Sequence, residues 1–112
     1  MNAMRNRVQL IGNLGQDPKV IELESGKKLV RFPMATNEVY KNGKGEKVTS
    51  TEWHNIVAWG NLADIAGQYL AKGREIALEG RLQNTSYEDK EGKTRYVTEI
   101  IAQDFIMLGS KS

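Results

Sequence analysis

The chain has 112 residues, with 16 Lys and Arg against 14 Asp and Glu, a formal net charge of +2, and no cysteine. That length suits one domain with a modest core, burying roughly two-thirds of the surface that the unfolded chain exposes. The lack of cysteine excludes a disulfide framework, thiolate metal sites and a thiol nucleophile; no apolar run approaches the ~18 residues that span a membrane. Residues 1–7 carry no apolar stretch, so no secretory signal is predicted and a soluble cytoplasmic protein, bacterial and nucleoid-associated, is the expectation.

Apolar and polar residues alternate along most of the chain, which predicts half-buried strands over 7–14, 20–24, 29–40, 49–59, 75–88 and 93–102. A short apolar run at 105–108 closes the domain. Gly15-Gln16-Asp17-Pro18, Ser25-Gly26 and the segment 89–92 break the strands, and the two glycines of Lys41-Asn42-Gly43-Lys44-Gly45-Glu46-Lys47 predict a mobile loop. One segment changes period: Leu62, Ile65, Ala66, Tyr69 and Leu70 share a helical face, with Asn61 as the expected N-cap, Asp64 complementing the helix dipole and Gly73 as the stop. Pro33 lies inside a long strand, where it cannot donate to a ladder, so it should mark an edge or a bulge.

Leaving aside the short 20–24, five strands remain, and one short helix between the third (49–59) and the fourth (75–88) of an all-β chain is the layout of an OB-fold, a five-stranded Greek-key barrel whose curved face binds oligonucleotides or oligosaccharides. A generic β-sandwich is the competing architecture, and the lone helix favours the barrel. Residues 1–108 are expected to form this one domain, with 109–112 a short end.

Parity along the strands separates two faces. Trp53, Asn55, Val57 and Trp59 share one face of their strand, and His54, Ile56 and Ala58 share the other. Tyr87 falls on the polar side of its strand with Arg81 and Gln83, and Tyr40 precedes the lysine-rich loop. Val57 leaves a core placement open for Trp53 and Trp59. Aromatics set among Asn, Gln, Arg and Lys nevertheless expose apolar surface that nucleobases cover well, and nearby lysines neutralise phosphates. Charge is uneven: residues 1–50 hold nine basic and five acidic side chains, 51–112 seven and nine. Catalytic chemistry is poorly supplied. The single histidine, His54, reads as a structural or interface residue, the acids are scattered, and Gly43-Lys44-Gly45 lacks the context of a phosphate-binding loop. No cofactor and no metal site is expected.

Several segments then resemble one family. Val8-Gln9-Leu10-Ile11-Gly12-Asn13-Leu14-Gly15-Gln16-Asp17-Pro18, Met34-Ala35-Thr36-Asn37-Glu38, Thr51-Glu52-Trp53-His54-Asn55-Ile56-Val57, Glu79-Gly80-Arg81-Leu82 and Arg95-Tyr96-Val97-Thr98-Glu99 are similar, in order, to the bacterial and mitochondrial single-stranded DNA-binding proteins. The resemblance implies a non-enzymatic OB-fold that assembles as a homotetramer and binds single-stranded DNA in replication, recombination and repair. Its stacking aromatics fall here on Tyr40, Trp53, Trp59 and Tyr87, with Trp59 in place of a frequent phenylalanine, and His54 matches a histidine of subunit contacts. Arg5, Arg7, Lys41, Lys44, Lys47, Asn55, Lys72 and Arg81 are the candidate phosphate or polar contacts. Long-tailed members end in an acidic tip that recruits replication and repair proteins. This sequence ends Leu108-Gly109-Ser110-Lys111-Ser112, so tail-mediated partners are not expected of it. An OB-fold module that binds mainly proteins and an OB-fold nuclease are the alternatives; the exposed aromatics argue against the first and the scattered acids against the second.

Overall fold

The alternation closes into a barrel. In the computed structural model, which describes residues 5–108, the elements are β1 (Val8–Leu14), β2 (Lys19–Glu22), β3 (Lys28–Lys41), β4 (Lys47–Trp59), α1 (Asn61–Tyr69), β5 (Glu75–Glu88) and β6 (Thr94–Met107). The short end expected at 109–112 lies outside the described residues. The sheet runs β1-β5-β6-β4-β3-β2, and a second pairing of β1 with β3 closes five of the strands on themselves. This is the OB-fold, with α1 between the third and fourth barrel strands and β2 added along β3.

Closure depends on a close approach. A Cβ on Gly12 would stand 2.0 Å from the carbonyl oxygen of Ala35, so only glycine lets β1 cross to pair Asn13 with Ala35. Inward-facing Val30, Phe32 and Met34 of β3, Ile56 and Ala58 of β4, Ile76 and Leu78 of β5, and Ile100 and Ala102 of β6 form the core. Each large apolar side chain buried there contributes about 1.5–3 kcal/mol. Pro33 sits where the free side of β3 changes partner, between β2 at Arg31 and β1 at Met34. Its carbonyl accepts from the Gly15 N–H at 2.9 Å, so its nitrogen, on the same side of the strand, faces that gap and leaves no ladder bond to β4 unmade.

Four expectations need correction. The run at 105–108 is not a separate element: β6 continues through it, and a bulge opposite Glu79 and Gly80 reverses the inward parity, so Ala102 and then Phe105 both face the core. A strict period of two breaks at such a residue. The helix is capped by Gly60 (φ 63°) with no side-chain cap bond, which puts Asn61 inside the first turn; it ends at Leu70, whose N–H bonds the Ala66 carbonyl, rather than at Gly73. Its buried stripe is Ala63, Ala66 and Leu70, while Ile65 and Tyr69 are exposed, because small side chains let α1 sit close against the barrel.

Two ribbons, β3–β4 and β5–β6, run well past the core. The radius of gyration of 16.2 Å exceeds the about 13 Å of a compact domain of this length. Their tips are built alike. Asn42 N–H bonds the Glu46 carbonyl, and the Asn42 side-chain oxygen accepts from the N–H groups of Lys44 and Glu46 at 2.9 and 3.0 Å. Asp89 does the same for Glu91 and Lys93, both at 2.9 Å. The lysine-rich loop predicted to be mobile is therefore a stitched turn.

Candidate nucleic-acid interface

The register places the aromatics. Across the outer surface of the sheet, Pro33, Asn55, Glu99 and Gln83 form one row over β3, β4, β6 and β5, and Arg31, Val57, Ile101 and Arg81 form the next. Trp53 and Trp59 extend this surface in both directions along β4, and Tyr87 extends it along β5 opposite Arg95. Neither tryptophan enters the core: Trp53 is 62% exposed, Trp59 42% and Tyr87 55%. Val57, on the same parity, is buried, as is Glu99.

Trp53 does not hang free. A Cβ on Gly15 would fall 2.4 Å from its Cζ3 atom and 3.5 Å from Pro33 Cγ, so the ring lies on the bare backbone of Gly15 beside Pro33. The glycine in the turn after β1 thus fixes the pose of a ring on β4. Tyr40, half-exposed and opposite Val48, lies on the other surface of the β3–β4 ribbon, with the parity of Thr36 and His54. The structure therefore groups three of the four expected rings on one surface and sets the fourth near a ribbon tip. It also shows Tyr96, the most exposed aromatic of the described residues, opposite Ser86 on the β5–β6 ribbon. The sequence reading missed it as a site residue, although strand alternation across Arg95-Tyr96-Val97 separates it from Val97.

The cations fall into distinct settings. Lys41 and Lys47 face each other directly across β3 and β4, and Lys44 occupies the turn between them. Like charges so placed repel, and an anion between them relieves the repulsion. Arg7 is bound to Glu79 at 2.5 Å, joined by Gln9 Nε2. The Arg7 hydrogen bond, then that from Gln9, holds the Glu79 carboxyl below its usual range. Arg95 donates to Asp89 at 2.8 Å and, ahead of the Lys93 N–H, holds the Asp89 carboxyl low in the same way. Arg5, Arg81, Asn55 and Lys72 are exposed, Lys72 lending its backbone N–H to Asp17 at 2.8 Å.

Arg31 and Glu99 were not among the expected site residues. They form an ion pair across β4 at the middle of the aromatic surface, and with Gln16, Asp17, Lys19 and Asn55 they line a groove of about 430 Å³. No motif pairs an arginine and a glutamate 68 positions apart; only the register brings them together. His54 is partly buried, its Nε2 3.0 Å from the Thr36 hydroxyl, on the parity opposite to Trp53.

Comparison with known proteins agrees with this arrangement. The profile of the Single-strand binding protein family matches residues 5–108. Single-stranded DNA-binding protein 1 of Chlorobaculum tepidum is 52% identical over 107 residues, covering 95% of this chain and 66% of that protein. Single-stranded DNA-binding protein 1 of Xylella fastidiosa is 44% identical over 110 residues, covering 97% and 81%. Among solved structures, the Plasmodium falciparum SSB complex with ssDNA superposes with a TM-score of 0.86 at 33% identity, covering 93% of this chain and 95% of that one. With a family match across the whole barrel and close relatives along nearly its full length, the chain belongs to the Single-strand binding protein family.

Proposed function

We propose that this protein binds single-stranded DNA without sequence preference, protecting it in replication, recombination and repair, and that it transforms no substrate. The observation that carries the reading is the exposure of Trp53, Trp59 and Tyr87 on one outer surface of the barrel. Bases stack on these rings and on Tyr40, each contributing about 1–3 kcal/mol whatever its identity. Lys41, Lys44 and Lys47 neutralise backbone phosphates at the ribbon tip, with Arg5, Lys72, Arg81 and Asn55 as further polar contacts. Arg7 is committed to Glu79 and contributes less. What supports binding rather than catalysis is the make-up of the surface: rings, amides and cations, with its buried carboxylate already paired.

Residues 5–108 act as the binding unit, and copies of it associate, by the same reading, into a homotetramer. Ile11, Ala77 and Ile106 form one outward row across β1, β5 and β6, with Ile11 62% and Ile106 60% exposed. A second copy covers such a patch, and His54 contacts a subunit from the other side of β4. The bacterial relatives support work in a bacterial cytoplasm, at the nucleoid; no helix among the described residues is long and apolar enough to cross a membrane.

The test is a tryptophan-fluorescence titration with oligo(dT), single-stranded against duplex, at several salt concentrations. Strong quenching by the single strand is expected, with log K falling linearly as log salt rises. Equal binding to duplex, or no quenching, refutes the proposal.

A further inference from the structure

We propose that Arg31, held flat by the buried carboxylate of Glu99, is a base-stacking platform between Trp53 and Trp59 and not a phosphate ligand. The inference rests on the reading of the surface as a single-strand interface. The two tryptophans are six steps apart along the strand, about 20 Å at 3.3 Å per step. A strand of DNA running along β4 from one ring to the other must cross whatever lies between them. On that face β4 itself offers only Asn55 and the buried Val57. Arg31 stands directly beside Val57 on β3, and its guanidinium reaches Glu99 on β6, the strand beyond β4. The side chain therefore passes over β4 within the gap. Its side chain is half-exposed, 48%, while that of Glu99 is 10% exposed, so the carboxylate is the buried anchor and the arginine side of the pair keeps an open face.

The pairing decides which kind of contact Arg31 makes. To serve a phosphate with its full charge it would have to leave Glu99, stranding a buried carboxylate without its partner, which costs more than one solvated phosphate contact returns. While it stays, its charge is largely compensated, and what it offers a ligand is a fixed plane with spare N–H donors. Guanidinium planes stack on bases as aromatic rings do. Glu99 is on this reading a positioning residue that touches no DNA.

Three variants separate the possibilities, each checked first for an unchanged thermal melt, with affinity for oligo(dT) measured across a salt series. Arg31→Lys keeps both the charge and a partner for Glu99 but loses the plane. It should weaken binding about five-fold or more, with the slope of log K against log salt unchanged. Arg31→Gln keeps a donor to Glu99 and should likewise weaken binding without moving the slope. Glu99→Gln releases the guanidinium, so the slope should steepen by about 0.7, the increment of one phosphate contact on a single strand. Wild-type affinity in Arg31→Lys overturns the inference, as does a slope shallower by about 0.7 in Arg31→Gln, which would make Arg31 a phosphate ligand. If the unsubstituted protein does not bind oligo(dT), the parent reading fails and this one with it. Normal wild-type binding with an indifferent Arg31 removes this inference alone.

Discussion

Replacing Gly15 by alanine tests whether a residue in a turn sets the grip of a ring on another strand. The added Cβ would lie 2.4 Å from Cζ3 and 2.9 Å from Cη2 of Trp53. Carbon contacts settle near 3.5–4.0 Å, so the ring must withdraw by about 1 Å or more. Trp53 is 62% exposed and moves into solvent rather than into the core. Gly15 is not among the glycines with positive φ, so alanine adds no backbone strain. Stability should therefore stay within about 0.5 kcal/mol, while affinity falls toward the loss of one stacked base, about 1–3 kcal/mol. Anisotropy of a labelled oligo(dT), measured for Gly15→Ala, Trp53→Ala and the double variant, closes a cycle. With the indole gone, the Gly15 substitution has nothing to displace, so the double variant should bind like Trp53→Ala alone. Additive losses, or wild-type binding by Gly15→Ala, would refute the idea that Gly15 positions the ring.

Other consequences concern the ribbon tips and the apolar row. Asn42→Ala removes the acceptor shared by the Lys44 and Glu46 N–H groups, so hydrogen exchange of those two amides should accelerate and affinity should fall modestly. Asn42→Asp should preserve the turn, as Asp89 does in the sister ribbon. Asp89 is held below its ordinary value of 3.8 by Arg95 first. Its contribution is thus complete above that value and lost as pH falls through the lower folded one, and protection of the Glu91 and Lys93 amides relative to intrinsic exchange should drop only in that acid range. Asp89→Asn should flatten this dependence; an unchanged acid transition would contradict the assignment. Ile106→Asp, in the exposed row with Ile11 and Ala77, should lower the assembly mass in sedimentation while a single barrel still binds a short oligo(dT). An unaltered mass would place the subunit interface elsewhere.

Much of the fold follows from parity, and so does the placement of Trp53, Trp59 and Tyr87 outside it. The alternation that begins at Glu75 holds to Gly80 and the strand keeps its parity beyond it, although Leu82 is exposed, so Tyr87 could be assigned to the polar face by counting. Parity fails where the strand itself is irregular: the bulge in β6 makes Phe105 look like the start of a new element. It is also blind across strands. Nothing local singles out Arg31 or joins it to Glu99, and their meeting depends on a parallel pairing of β4 with β6 that no local pattern announces. The helix shows a third limit. Hydrophobicity picks out Ile65 and Tyr69, but the narrow space against the barrel admits Ala63 and Ala66, so volume decides which face turns inward.

The distribution of ion pairs also says which force dominates binding. Among the described residues Arg7, Lys28, Arg31 and Arg95 are paired with Glu79, Asp64, Glu99 and Asp89. The tip lysines Lys41, Lys44 and Lys47 belong to none of these pairs, and Lys41 directly faces Lys47, so they are the cations most ready to exchange counterions for phosphate. Three such contacts give a salt slope of about −2 per barrel, hence about a twenty-fold loss of affinity between 0.05 and 0.2 M salt, under 2 kcal/mol. Four stacked rings together are worth about 4–12 kcal/mol before the cost of ordering the strand. Relative to 1 M salt the same slope is worth about 2 kcal/mol at 0.2 M and about 4 kcal/mol at 0.05 M, so stacking leads at the higher salt and a net charge of only +2 is no obstacle to tight binding. A slope much steeper than about −4 per barrel, beyond what Arg5, Lys72 and Arg81 add to the tip lysines at about 0.7 each, would mean that paired arginines leave their carboxylates for phosphate, and the balance would shift from the rings to the charges.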